Sequence, residues 1–218
     1  MVKEERNILY YTVAGKGEAE LIIEKSRFIG HVFRIGSREE AESFFAEIRK
    51  NYRDASHNVP VFIIGKTMRE EWANDDGEPS GTAGLPILQL LKNENISNTA
   101  LMVTRYFGGV KLGKGGLKRA YTATAKATLA KAALLSVSEG KRLYFRASYQ
   151  DFEKIRAYGR KSAFIPENIS YAEDVSFEYI IKPEDAGSIE KLVSEISKGA
   201  AVLSGSEDEL IFSEIDTF

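Results

Sequence analysis

Two stretches of the chain carry residue types that can do chemistry. The first runs Gly108-Gly109-Val110-Lys111-Leu112-Gly113-Lys114-Gly115-Gly116 and continues into Leu117-Lys118-Arg119. Glycine lets a backbone take up unusual φ values and approach a ligand closely. Free N–H groups in such a loop, next to a helix N-terminus, attract anions. Arg105, Lys111, Lys114, Lys118 and Arg119 set five positive side chains within fifteen residues, with no acidic residue between them. Tyr106 and Phe107 offer ring faces on which bases can stack, or they pack in a core. The glycines and cations together read as a surface for phosphate groups, and an RNA, a nucleotide and a phosphorylated small molecule are all candidate ligands. A structural reading stands beside it, in which the glycines make a tight crossover and the lysines a solvated face. Known phosphate loops do not fit. Gly113-Lys114-Gly115 lacks the hydroxyl residue of a Walker loop, and the Gly108 to Gly113 spacing does not give a dinucleotide fingerprint.

The second stretch is Asn74-Asp75-Asp76-Gly77-Glu78-Pro79-Ser80-Gly81-Thr82-Ala83-Gly84. Three carboxylates in four positions are the oxygen donors that Mg²⁺ or Ca²⁺ takes. The further ligands of a twelve-residue calcium loop are absent, so no metal or other cofactor is assigned, Mg²⁺ being the ion the cluster would suit. The same carboxylates can instead hold Arg105 or the lysines. Ser80 and Thr82 are candidate nucleophiles, with His57 as base and Asp75 or Asp76 to orient it. A set like this occurs in most chains of this size, so the protein reads as a binding protein rather than an enzyme. His31, inside a strand, is assigned a structural role.

These residues need elements to hold them. Ile8 to Val13 and Glu18 to Glu24 read as strands joined by the turn at Gly15-Lys16-Gly17, and Phe28 to Ile35 continues the β character. Ser37 opens a helix with Glu40 in capping-box position, and Ala41, Phe44, Phe45, Ile48 and Tyr52 share one face. Val59 to Ile64 is a buried strand, Gly65 to Gly84 a long loop, Pro86 to Leu91 a short helix and Thr99 to Tyr106 a strand. An alanine-rich helix follows over Leu117 to Leu135, its small side chains letting a sheet approach closely. Beyond Glu139-Gly140-Lys141, the chosen boundary, the order is strand, helix, two strands, helix, strand. That βαββαβ series is the ferredoxin-like pattern.

The chain is therefore expected to be α/β (α+β), with domains over 1–138 and 141–218. Its 218 residues contain no cysteine, which excludes disulfides, thiolate zinc sites and cysteine nucleophiles. The charged start and the lack of a long apolar run give no signal peptide or membrane span, and a cytoplasmic location is expected. Net charge is −2, but residues 1–139 hold 20 Lys and Arg against 17 Asp and Glu, whereas 140–218 hold 10 against 15. Local fields matter more than the total.

Both dense stretches resemble the IMPACT (YigZ-like) family. Asp75 to Gly84 with Pro86-Ile87 is similar to one hallmark of that family. Thr104-Arg105-Tyr106-Phe107-Gly108-Gly109, Lys111-Leu112-Gly113, Gly115-Gly116-Leu117 and Arg119-Ala120-Tyr121 are similar to another. Lys25, Arg27 and Phe28 match its early Lys-x-Arg-Phe element and His57 its central histidine. The likeness covers about residues 8–130 and departs at Leu85, where arginine is common, and at Asn58-Val59, where histidine or cysteine is common. It implies an N-terminal domain like ribosomal protein S5 domain 2 and a C-terminal domain like those ending elongation factors. Both of those relatives touch RNA on the ribosome. Eukaryotic members regulate translation through a protein partner that controls an initiation-factor kinase. The partners implied are thus RNA or the ribosome, or a translation-related protein, and no membrane. Lys25, Arg27, Glu78, Ser80 and Thr82 are expected to support the basic loop.

Overall fold

The computed structural model describes residues 8–160 and 164–215; the charged start, residues 1–7, lies outside them. The described residues divide into two compact units, Ile8–Val137 with 213–215, and Ser138–Phe212.

The larger unit is built on an antiparallel sheet ordered β2 (Gly17–Ile23), β3 (Ser26–Arg34), β6 (Thr99–Tyr106), β4 (His57–Ile64), β5 (Glu70–Ala73). Side chains alternate between its faces. Phe28, Val32, Val59, Val61, Leu101 and Val103 meet helices α2 (Gly84–Asn93) and α3 (Gly113–Lys131) in one core. Phe62, Ala100 and Met102 meet α1 (Arg38–Asn51) in another, on the opposite face. Helix α1 starts where its cap residues require: the Ser37 hydroxyl accepts from the Glu40 N–H, and the Glu40 carboxylate accepts from the Gly36 N–H.

Helix α3 lies close on the sheet because the contact residues are small. A Cβ at Gly30 would stand 1.9 Å from the Thr128 hydroxyl, and one at Gly17 2.6 Å from the Ala132 Cβ. The helix differs from its expected span at both ends. It begins at Gly113 rather than Leu117, so Gly113, Gly115 and Gly116 form its first turn rather than a loop. It ends at Lys131 because Ala133 takes a left-handed conformation (φ 53°). Leu134 and Leu135 open strand β7 (Leu134–Ala147) instead. The long loop holds the edge strand β5, whose acidic Glu70 and Glu71 hide its β character; each is paired, with Arg38 at 2.6 Å and with Lys92 at 2.7 Å. β1 (Ile8–Val13) and β2 follow one another but lie in different sheets, β1 being bonded to β7.

In the smaller unit β7 is followed by α4 (Tyr149–Gly159), β8 (Glu167–Tyr171), β9 (Val175–Ile181), a 3₁₀ turn (Pro183–Asp185), α5 (Ala186–Ser197) and β10 (Val202–Glu214). The strands lie in the order β10-β7-β9-β8. Phe152, Ile155, Ile189 and Val193 of the helices cover Leu143, Phe145, Val175, Phe177 and Tyr179. The opposite face holds Arg142 within reach of Glu178, Glu207 and Glu209. Glu139-Gly140-Lys141 is continuous strand. Gly140 marks close packing, since a Cβ there would stand 2.6 Å from Ile211. Among the described residues no helix is long and apolar enough to cross a membrane.

His31 is buried in β3 at 5% exposure, and burial holds its imidazole below the usual histidine pKa of 6.5 against the opposing pull of Glu18. The folded state thus takes up a proton less readily than the unfolded chain. Its contribution is fully present above about pH 6.5 and is lost as the pH falls below that. Denaturant midpoints at pH 7.5 and 5.5 are expected to show a loss of stability at the lower pH that is smaller in His31→Phe.

Candidate functional site

Strand pairing brings the first site residues together. In the register of the sheet Arg105 lies between Phe28 of β3 and His57 of β4, so all three face the α3 side at one end. Glu78 descends onto them from the acidic loop, and Tyr121 from α3. Glu78 Oε1 accepts from Arg105 Nη1 at 2.6 Å and from the Tyr121 hydroxyl at 2.8 Å, and it lies 3.8 Å from His57 Nε2. Glu78, Arg105 and Tyr121 are all buried. Burial, with the nearby Glu78 charge, raises the Tyr121 hydroxyl far above its usual range and keeps it a donor. Arg105 also donates to Ser26 Oγ, and its guanidinium lies 5.3 Å and 5.5 Å from the Phe28 and Phe107 ring centres.

Arg105 is therefore not part of an exposed cationic surface. Its charge is answered inside the fold by Glu78, and only 4% of it reaches solvent. The three clustered carboxylates do not converge on a cation either, because each is committed elsewhere. Asp75 accepts the N–H groups of Gly81, Ala83 and Gly84, capping α2. Asp76 accepts the Asn58 N–H, and Glu78 holds Arg105. No group of three or more metal-ligating side chains is present among the described residues.

The hydrolytic constellation is likewise dispersed. His57 Nδ1 lies 2.8 Å from the Asp76 carbonyl oxygen, which only accepts, so that nitrogen carries the hydrogen; Nε2 faces Glu78. The Thr82 hydroxyl donates to the Pro79 carbonyl, Ser80 is exposed, and neither is bonded to His57 among the described residues.

The second group lies at the start of α3. Lys111, Lys114, Lys118 and Arg119 are exposed and form no ion pair among the described residues. Among the described residues no side chain caps α3, and its first turn has no acidic residue. The Arg119 guanidinium folds back along that turn, 3.5 Å from where a Cβ of Gly115 would stand. A helix N-terminus already carries partial positive charge, so these cations crowd a place that favours an anion.

The β2–β3 turn supports the preceding loop with its backbone, not with the Lys25 ammonium. A Cβ at Gly108 would stand 1.9 Å from the Lys25 carbonyl oxygen, and the Gly108 N–H donates to Ser26 Oγ. Arg27 turns away to Glu20 and lies over the Tyr106 ring. Neither Tyr106 nor Phe107 is in the core: Tyr106 donates to Asp54, and Phe107 is half exposed. Ser26 and Ser56, the latter accepting the Phe107 N–H, are site residues that the sequence reading did not single out. Isolated serines beside strands carry no spacing signal. Tyr121 was visible only as the last residue of the motif Arg119-Ala120-Tyr121, with no sign of its partner Glu78.

Three comparisons bear on this arrangement. The family model for the Impact N-terminal domain matches residues 24–129, a span that holds Glu78, Arg105, Tyr121 and the whole basic turn. The IMPACT family member YvyE of Bacillus subtilis is 38% identical over 205 residues, covering 94% of each chain. The IMPACT family member in the pol 5′ region of Thermus thermophilus is 32% identical over 185 residues, 84% of this chain and 100% of that one. A solved structure described as a hypothetical protein superposes with a TM-score of 0.58 at 25% identity, over 89% of this chain and 95% of its own.

Removing the buried anion leaves the buried cation unanswered. Glu78→Ala is expected to cost about 3–5 kcal/mol, the usual consequence of breaking a buried pair, read by urea unfolding. Asp75→Ala, which uncaps α2, is expected to cost about 0.5–2 kcal/mol by the same measurement.

Proposed function

The chain belongs to the IMPACT family, and from that premise we propose that it is an RNA- or ribosome-associated factor linked to the regulation of translation, holding phosphate groups at the exposed start of α3. The observation that carries this reading is the crowding of Lys111, Lys114, Lys118 and Arg119 around an uncapped helix start, with no carboxylate among the described residues to answer them. Phosphate oxygens would accept from the free N–H groups of the first turn and from the side chains around it. Exposed Phe107, at the edge of the turn, offers a ring face to a base.

The order β10-β7-β9-β8 with both helices over one face supports reading the smaller unit as ferredoxin-like. The antiparallel sheet of the larger unit, with α2 and α3 on one side, supports the likeness to ribosomal protein S5 domain 2. The acidic balance of residues 140–218 favours the larger unit as the part that meets RNA. A second reading, a translation-related protein partner without direct RNA contact, is favoured by one observation: Arg105, the central cation of the motif, is spent on Glu78. An enzyme acting on a phosphorylated small molecule has the least support, because His57, Asp75 and Asp76 are all engaged within the protein.

Fluorescence anisotropy with two unrelated RNAs over a salt series tests the RNA reading. Lys111→Gln, Lys114→Gln and Arg119→Gln are expected to weaken binding to both RNAs alike, each reducing the salt slope by about 0.7–1. No binding at low salt, or equal binding by the triple variant, would leave the protein-partner reading in its place.

A further inference from the structure

We propose that the α1 face of the larger unit carries a docking groove for a lysine-bearing segment of a protein partner. The groove is a pair of adjoining recesses of about 330 and 360 Å³ between α1 and strands β2 and β3, sharing Lys16, Phe44 and Glu47. Glu18, Glu39, Glu40 and Glu47 line it, and Lys16 is the single cation among the residues that do. Its floor is aromatic. The Phe33 and Phe44 rings stack at 5.9 Å, and His31 lies 5.0 Å from the Tyr52 ring.

His31 sets the chemistry of the occupant. Its Nδ1 lies 3.3 Å from Glu18 Oε2, and a carboxylate only accepts, so in the neutral ring Nδ1 carries the hydrogen. Nε2 is then an acceptor, and it is buried without a partner among the described residues. A buried polar atom is costly unless it is bonded, and this one can be satisfied only by a donor. An ammonium group is all donor, suits a carboxylate rim, and is drawn to ring faces.

The protein's own Lys16 already places an ammonium against the rim and floor of the groove. Its ammonium lies 5.6 Å from the Phe33 ring centre and 3.9 Å from Glu47. Lys16 is exposed and sits in the turn before β2, so an incoming lysine can take its place. The carboxylates that welcome an ammonium repel a phosphate, which sets this face apart from the start of α3 across the sheet. The inference stands without the RNA reading.

Hexalysine carrying a fluorescein label, titrated against the whole protein at low salt, tests it. Saturable one-to-one binding is expected. Glu18→Gln with Glu47→Gln, both at exposed positions, should weaken it at least tenfold, and His31→Phe, which keeps a ring but removes the acceptor, should also weaken it. Lys16→Ala should tighten it a few fold by removing the internal competitor. Glu207→Gln with Glu209→Gln, on the smaller unit, should leave it unchanged. In NMR spectra of the unsubstituted protein the His31 ring protons should shift as hexalysine saturates. Parent-like binding by the Glu18/Glu47 variant, or His31 signals that stay in place at saturation, would overturn the proposal. Lys111→Gln with Lys114→Gln and Arg119→Gln should leave hexalysine binding intact, so a failure of the RNA reading is seen separately.

Discussion

A guanidinium taken out of water must be matched by an anion, and here the match is made by one carboxylate oxygen. Glu78 Oε1 receives Arg105 from β6 and Tyr121 from α3, with His57 of β4 beside it. The loop that carries Glu78 is held at its start by Asp75, which binds three N–H groups at the head of α2. One ion pair thus ties together a strand of the sheet, the acidic loop and the long helix. Arg105 in turn shares Ser26 Oγ with the Gly108 N–H, so the buried pair also positions the chain just before the basic turn. The site's two motifs are one structure: the acidic stretch and the strand end lock each other, and the cations beyond the lock form no ion pair among the described residues.

That lock accounts for the separation of charge in the larger unit. Cations that find a carboxylate are neutralised within the fold, as Arg105, Arg27, Arg38 and Lys92 are. Cations at the start of α3 have none among the described residues, and the helix adds its own partial positive charge there. On the other side of the sheet the balance reverses, because Glu39, Glu40 and Glu47 repeat along one side of α1 and Glu18 faces them from β2. The two faces therefore present opposite charge. A net charge near zero conceals this, since the local field depends on which charges are paired and not on how many there are.

Much of the fold was legible because it follows from periodicity. Thr99–Tyr106 is carried by its β-branched and aromatic residues, the capped start of α1 by Ser37 with Glu40, and the order of elements after residue 140 by the alternation from Leu143 and by Pro183. Edges were harder. β5 reads as loop because Glu70 and Glu71 gain their stability from Arg38 and Lys92, distant in sequence. Gly140 reads as a linker although it is a packing residue, as only the position of Ile211 reveals. In the site, residue types were visible but their partners were not. Arg105 counts as a positive charge in any sequence. That it is spent on Glu78 depends on strand register and on a loop folding over it, and neither leaves a local pattern. Ser26 was passed over between Lys25 and Arg27 for the same reason.

The glycines of the basic string differ in what the backbone demands of them. Gly108 has the Lys25 carbonyl oxygen against it, and Gly116 has the Leu112 Cβ at 2.9 Å from where its own Cβ would lie. Gly109 and Gly113 take positive φ values of 83° and 68°, which L side chains rarely adopt. Each of these four is required by the backbone whatever the protein binds. Gly115 is not: a Cβ there meets only the flexible end of Arg119 at 3.5 Å, in an exposed first turn with negative φ. In a helix, alanine would be favoured at such a position by about 1 kcal/mol. The glycine-rich string is thus mostly a geometric necessity of joining β6 to α3. Among the glycines of the string Gly115 alone has no such demand on it, and a Cβ there would meet only the Arg119 guanidinium, which folds over the first turn of α3.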